Sequence, residues 1–289
     1  MPELPEVSTI VEQLKKELVG KTITGMEIRL ARIWQGSRDQ VLGAKITDVK
    51  RRAKMIIIKL NNGKNLVVHL KMTGQLVYSD QENIATFPNP IPFAGTTLPG
   101  KTTHIIFHLS HGTLFYNDMR QFGWVHVYNN EELREKIDGE LGPEPFDFAQ
   151  GKPTDFTPEY LAKICSNWGR PIKLLLLEQS KIAGIGNIYA NEALWSAGIS
   201  PMKRGREVPE EKIKDLYKAI REVLELGLKY HGSSAGDEAY VDAYGHGGQM
   251  QNHTVVYQKA GSECPRCHHK IVRSTIGGRG TFFCPKCQK

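Results

Sequence analysis

Long apolar runs are missing from these 289 residues. No stretch approaches the roughly 20 apolar residues that span a bilayer. The first residues also lack the basic, apolar and small-residue succession of a secretory leader, so the chain is expected in the cytoplasm. Cysteine is scarce: there are five, too few and too unevenly spaced for a disulfide scaffold. Acidic residues are short in one place above all. From Met250 to Lys289 there is a single one, Glu263, against seven Lys and Arg residues. An excess of positive charge that compact is the footprint of a polyanion partner, or else a solubilising tail. What is present fits a globular protein. The apolar fraction is 40% and the charged fraction 24%, which excludes a disordered chain. The length has room for two medium domains, each with a core of its own.

Four of the five cysteines are ordered. Cys264 and Cys267 form "CPRC", and Cys284 and Cys287 form "CPKC", a C-x2-C-x16-C-x2-C spacing. Each pair places two thiolates on one tight knuckle, and two knuckles complete a tetrahedron around zinc. An iron–sulfur cluster is the alternative. With four protein ligands the metal has no open position, so its role is structural. The stretch between the pairs carries a Gly-Gly turn and reads as a β-hairpin. Arg279 stands beside that turn, either as a phosphate finger or as an ordinary loop arginine. Cys165 stands alone in a helical pattern and reads as a small buried hydrophobe.

Along the chain, Val7, Ile10, Val11, Leu14 and Leu18 fall at helical spacing, and Gly20 stops the helix. From about 22 to 130 the pattern is strands broken by glycine turns, which predicts a β-sandwich. Within it, the Pro-rich 87–100 stretch reads as a long loop. Helical spacing dominates from about 158 to 231. The resulting expectation is an α+β multidomain chain: a helix plus β-sandwich over 1–138, a linker over 139–157, a helical domain over 158–249 and a zinc ribbon over 250–289. In "KIAGIGNIYANE" a glycine turn runs into a helix that opens near Asn187. Free N–H groups and the positive dipole end suit a phosphate there, and Asn187 can cap the helix or donate to the anion. Met72 and Phe122 read either as core or as wedges for a base stack. Pro2 and Glu3 in "MPELPE" have a bland reading too, since both residue types suit a helix start.

Taken in order, "MPELPEV", "RRAK" (51–54), "HLKM" (69–72), "RQFG" (120–123), "GIGNIYANE" (184–192) and the ribbon ending "CPKCQK" make the whole chain resemble the bacterial formamidopyrimidine-DNA glycosylases. The resemblance implies a helix–two-turn–helix in the helical domain and a bifunctional enzyme that flips oxidised purines out of duplex DNA. It implies that Met1 is removed and that the secondary amine of Pro2 is the nucleophile, with Glu3 as general acid/base and Glu6 in support. Lys54, His69, Asn187 and Arg279 would grip phosphates, with Tyr257 and Arg273 as further contacts. Met72, Arg120 and Phe122 would fill the space the flipped nucleotide leaves. One structural zinc, double-stranded DNA as partner and a monomeric state follow. The 233–252 stretch corresponds to a mobile loop near the flipped base. Two departures stand out: Gln121 replaces a residue that is often basic, and the 80–101 segment is longer than the family pattern. Two other readings compete. One is the sister type that prefers oxidised pyrimidines; the other is a zinc-ribbon protein that binds DNA without cutting it.

Overall fold

The structure is a computed structural model that describes residues 1–146, 155–234 and 240–289. Part of the expected linker, 147–154, and residues 235–239 near the start of the 233–252 stretch therefore lie outside the described residues. No helix among the described residues is long and apolar enough to cross a membrane. The chain divides into two compact units, residues 1–139 with 227–251, and residues 140–226 with 252–289.

The first unit is a β-sandwich with one helix laid on it. Helix α1 (Leu4–Leu18) is buried along almost the whole of its first half. Its hydroxyls are satisfied within the helix, Ser8 donating to Leu4 O at 2.9 Å and Thr9 to Pro5 O at 3.0 Å. One sheet has the order β1 (Ile23–Ile28), β9 (Thr103–Leu109), β10 (Thr113–Asp118), β6 (Gly74–Ser79). The other runs β2 (Trp34–Gln35), β11 (Trp124–Asn129), β5 (Lys64–His69), β4 (Met55–Leu60), β3 (Ile46–Arg52). Strands β11 and β2 pair in parallel, and the remaining pairs are antiparallel. Strand β11 runs into the short helix α2 (Asn130–Leu133), whose first N–H groups are capped by the Asn129 side chain. Inward residues of both sheets and the apolar face of α1 form one core, in which Ile10, Leu14, Ile56, Leu76 and Ile105 have no solvent exposure. Each such side chain contributes about 1.5–3 kcal/mol relative to exposure.

The Pro-rich segment is not a plain loop. Strands β7 (Ala85–Ile91) and β8 (Gly95–Leu98) pair as a two-stranded hairpin, Ala85 opposite Leu98 and Ile91 opposite Gly95. The register shifts between Thr86 and Ile91, where Pro88 and Pro90 lack the N–H groups a regular ladder needs. Burial replaces the missing bonds. Ile91 and Leu98 enter a cluster with Val77, Ile106, Phe115 and Val241.

Val241 belongs to the segment that returns to this unit after residue 226. Tyr78 N–H donates to Ala243 O at 2.8 Å, Ala243 N–H to Gln13 Oε1 at 2.9 Å, and Gln13 to Asp242 at 2.8 Å. The segment thus covers the free edge of β6, an arrangement that protects an unpaired strand.

The second unit holds α3 (Pro158–Ser166), α4 (Ile172–Leu177), α5 (Asn187–Ser196) and most of α6 (Glu210–Lys229), together with the ribbon strands β12 (Val272–Ile276) and β13 (Arg279–Phe283). Gly277 and Gly278 make the two-residue turn of that hairpin, at φ 57° and 73°. Both angles are left-handed, which two glycines adopt without strain. A Cβ on Gly277 would also lie 2.5 Å from Leu174 of α4.

Candidate functional site

The first unit gathers the N-terminal residues. Pro2 is buried, as are Glu3 and Glu6. Glu3 is the N-cap of α1 and forms a capping box with Glu6, and Glu3 N–H donates to Glu6 Oε2 at 2.8 Å. The other oxygen of Glu6 accepts Ser233 N–H at 2.8 Å. Gly232 makes this approach possible: at φ 79°, its missing Cβ would sit 2.6 Å from Glu6 Cγ. Ser233 places a buried hydroxyl here that has no hydrogen-bond partner among the described residues. Neither Gly232 nor Ser233 carried a signal in the sequence beyond falling in a glycine-rich stretch.

Lys54 and His69 come together at one end of the second sheet. Lys54 ends the tight β3–β4 turn, in which Ala53 has φ 51°. His69 stands opposite both Met55 and Trp124 in the ladder. The Nδ1 of His69 accepts Lys71 N–H at 3.0 Å, which leaves Nε2 carrying the proton in the neutral ring. Burial, then Lys71 and Lys54, push the His69 pKa down to about 3. A neutral Nε2–H is a donor suited to an anion's oxygen. Unfolded, the same ring takes a proton near pH 6.5. Between these values the unfolded chain binds more protons, so stability falls as pH drops from about 6.5 towards 3. Urea melts at pH 7 and pH 5 are expected to differ less in His69→Gln than in the parent protein.

Met72, Arg120 and Phe122 sit on two turns held by one carboxylate. Asp118 is fully buried. Its Oδ1 accepts the Thr73 hydroxyl and Arg120 N–H, and its Oδ2 accepts Gly123 N–H at 2.8 Å. Thr73 follows Met72, while Arg120 and Gly123 bracket Phe122. The Arg120 guanidinium lies 4.8 Å from the centre of the Phe122 ring. Phe122 is 57% exposed, so it is not core. Gln121 accepts a hydrogen bond from Arg32, which brings a guanidinium to the position where the sequence lacks a basic residue. Asp118→Ala would leave the Thr73 hydroxyl and the Gly123 N–H without their acceptor, each costing about 1–3 kcal/mol. A lower melting temperature and faster amide exchange at Arg120 and Gly123 are the expected readouts.

The second unit holds the remaining residues. Asn187 is not the cap of α5; Gly186 is, and its extended backbone leaves Asn187 inside the first turn. The Asn187 amide instead donates to Gly280 O at 3.1 Å. Lys173, wholly buried in α4, donates to Gly280 O at 2.9 Å and to the Thr281 hydroxyl at 2.8 Å. Asn191 accepts Phe282 N–H at 2.9 Å. Strand β13 is thereby fixed to α4 and α5, with Arg279 and Arg273 exposed on the hairpin. Tyr257 is buried against Phe282, and Glu192 accepts the N–H groups of Val255, Val256 and Tyr257 at 2.7–3.0 Å. Burial raises the Glu192 pKa while those three donors oppose the rise. Lys173, Glu192 and Asp118 gave no sequence signal as site residues.

The Sγ atoms of Cys264, Cys267, Cys284 and Cys287 lie within 4.8 Å of one another. A tetrahedral zinc with bonds of about 2.3 Å needs separations of about 3.8 Å, so the four thiols fit a single closed zinc site.

Family descriptions match in chain order: the N-terminal domain of formamidopyrimidine-DNA glycosylase over 1–125, its H2TH domain over 141–238, and the zinc finger found in FPG and IleRS over 261–289. The chain belongs to the formamidopyrimidine-DNA glycosylase family. A formamidopyrimidine-DNA glycosylase of Chloroflexus aurantiacus is 40% identical, over 100% of this chain and 98% of that one. One of Carboxydothermus hydrogenoformans is 39% identical with full coverage of both. The fold matches a mutant of the Lactococcus lactis FPG in complex with Fapy-dG containing DNA, at a TM-score of 0.85, 32% identity and full coverage of both chains. It also matches wild-type Lactococcus lactis FPG in complex with DNA containing an oxidised pyrimidine, at 0.84 and 33% with full coverage of both. A β-sandwich domain, a helix–two-turn–helix domain and a ribbon with one structural zinc are the family's architecture, and this glycosylase has all three.

Proposed function

We propose that this glycosylase removes oxidised purines, 8-oxoguanine and formamidopyrimidines, from duplex DNA and then cuts the strand, with Pro2 as nucleophile. The observation that carries the reading is the placement of Pro2 at the start of α1, buried, with Glu3 beside it and Glu6 bonded to Glu3. Removal of Met1 would expose a secondary amine. Free α-amines titrate near pH 7.7–8.0, so much of it is free base at neutral pH. Burial and the positive end of α1 disfavour the ammonium, while the carboxylates of Glu3 and Glu6 favour it.

The nitrogen lone pair attacks C1′ of the flipped nucleotide. The glycosidic bond breaks, the base leaves with its electron pair, and the proton shed by the attacking nitrogen neutralises it. Glu3 donates a proton to the ring oxygen as the sugar opens to an iminium. The iminium draws electrons from the adjacent C–H, and loss of that proton expels the 3′ phosphate. A second elimination expels the 5′ phosphate. Lys54, His69 through its Nε2–H, Asn187 and Arg279 grip phosphates, with Tyr257 and Arg273 as further contacts. Met72, Arg120 and Phe122 occupy the vacated space, offsetting part of the few kcal/mol that flipping costs. The unpartnered Ser233 hydroxyl is offered to the base itself. The enzyme works as a monomer on chromosomal DNA in a bacterial cytoplasm.

Borohydride trapping tests this. It reduces an iminium to a stable amine, and mass spectrometry then locates the linkage. A duplex with 8-oxoguanine opposite cytosine is expected to cross-link to residue 2, faster than a duplex with an oxidised pyrimidine. The reverse order would assign the chain to the pyrimidine-preferring type. Binding with no cross-link on either would leave a DNA-binding protein without chemistry.

A further inference from the structure

The β7–β8 hairpin lies within the 80–101 segment, and its turn is built onto the edge that carries Met72, Arg120 and Phe122. Gln75 donates to Pro92 O at 3.1 Å, and the Thr102 hydroxyl donates to Phe93 O at 3.2 Å. Both anchors lead to the same place. Gln75 pairs with Asn117 in the ladder, next to the pair Gly74–Asp118, and Thr102 O accepts Asp118 N–H at 2.9 Å. The turn is therefore two hydrogen bonds from the backbone of Asp118, whose carboxylate holds the Phe122 turn and the residue after Met72.

Phe93 is the residue this construction presents. Its neighbours go inward: Ile91 is buried, and Ala94 packs on the cluster of Ile91, Leu98, Phe115 and Val241. Phe93 stays 51% exposed. It also holds φ 63°, a left-handed backbone that Gly or Asn adopts readily and a bulky residue does not. A strained backbone under a large exposed ring gains too little from burial to explain itself, and such outliers gather at functional sites. The chain segments bonded to this turn carry further exposed groups. Met119 is 42% and Phe122 57% exposed on the adjoining turn, and Lys101 and Arg120 are exposed beside them. Rings and cations interleaved along one edge match the faces of unstacked bases and the phosphates that flank them.

The geometry points to Phe93 as a further DNA contact, packing against the bases or sugars beside the vacated position and extending the wedge of Met72, Arg120 and Phe122. This rests on the glycosylase reading above. It assigns the hairpin a partner, duplex DNA, and a purpose, which is holding the distorted duplex open for longer.

The experiment compares the parent protein, Phe93→Gly and Ile84→Ala. Ile84 is an exposed residue at the foot of the same hairpin. Each is measured for its affinity to a duplex with a tetrahydrofuran abasic analogue and for its melting temperature. Phe93→Gly is expected to weaken binding about ten-fold, as loss of one aromatic–base contact would. Its melting temperature should hold or rise, because glycine accepts the left-handed angle. Ile84→Ala should bind as the parent does. With p-benzoylphenylalanine in place of Phe93, irradiation should cross-link nucleotides adjacent to the analogue. Unchanged binding by Phe93→Gly, or no photo-cross-link, overturns the proposal while residue 2 still traps with borohydride. A parent protein that fails to trap overturns the glycosylase reading and this inference with it.

Discussion

Retention of Met1 is expected to cut base release and strand cleavage by about ten-thousand-fold or more, the scale on which loss of a covalent nucleophile falls. The cause is electronic. In the chain beginning at Met1 the nitrogen of Pro2 is an amide, its lone pair delocalised into the carbonyl and its N–H absent. No side-chain movement restores it. DNA binding should survive, since the residues proposed to grip phosphates and to fill the vacated space are elsewhere. Single-turnover kinetics on protein of verified N-terminus provides the measurement. Pro2→Gly is expected to fall between, near a hundred-fold loss, because a primary amine remains but forms an imine that must be protonated to act as the electron sink. Glu3→Gln keeps the amine and should lose the 10²–10⁴-fold typical of one general acid/base. Equal trapping by processed and Met1-bearing protein would place the nucleophile elsewhere.

Removing zinc is expected to have the second largest effect. The ribbon's apolar cluster is small, built on Val256, Ile271 and the sulfur ligands Cys264 and Cys284. A core of that size does not hold a β-hairpin unaided, and structural zinc supplies about 10–16 kcal/mol in finger peptides. Chelation or Cys284→Ser should therefore unfold residues 261–289. Lys173 would then have a buried ammonium with no acceptor from Gly280 or Thr281, so α4 should loosen as well. Duplex affinity should drop at least about a hundred-fold at moderate salt. Its salt dependence should flatten, because Arg273 and Arg279 no longer displace counterions. Hydrogen exchange would report the ribbon and α4 opening while β4 and β5 stay protected. Stoichiometric metal loss with unchanged affinity would show that the ribbon does not touch DNA.

The architecture was legible where periodicity and ligand spacing carry it. The apolar positions of α1, the sandwich strands and the Gly-Gly ribbon turn are local patterns, and each stands in the structure. The Pro-rich segment was not legible as a hairpin. Its prolines signal a loop, and what overrides them is burial of Ile91 and Leu98 against strands far away in sequence. The helix start at Asn187 was found, but not its cap, because an extended Gly186 leaves no side-chain trace. Asp118, Lys173 and Glu192 were missed for one reason. Each is a charged residue with at least one partner more than forty residues away, Thr73 for Asp118, Gly280 and Thr281 for Lys173, and 255–257 for Glu192, and no short pattern encodes such a pairing. The return of 227–251 to the sandwich is likewise a long-range event, visible only once Gln13 and Tyr78 are seen bonded to it.

The single carboxylate of Glu6 accepts from Glu3 at one oxygen and from Ser233 at the other, with Gly232 pressed against its stem. Positions 6, 232 and 233 therefore cannot drift independently over generations. A larger residue at 232 would push Glu6 away and with it the start of α1. Grafting a foreign 232–252 stretch into this protein would succeed only when the graft carries its own glycine and amide in the same places. On the proposed mechanism, the backbone that leads into the 233–252 stretch and the backbone that sets residue 2 are held by one carboxylate, so a change in either must be accommodated by the other.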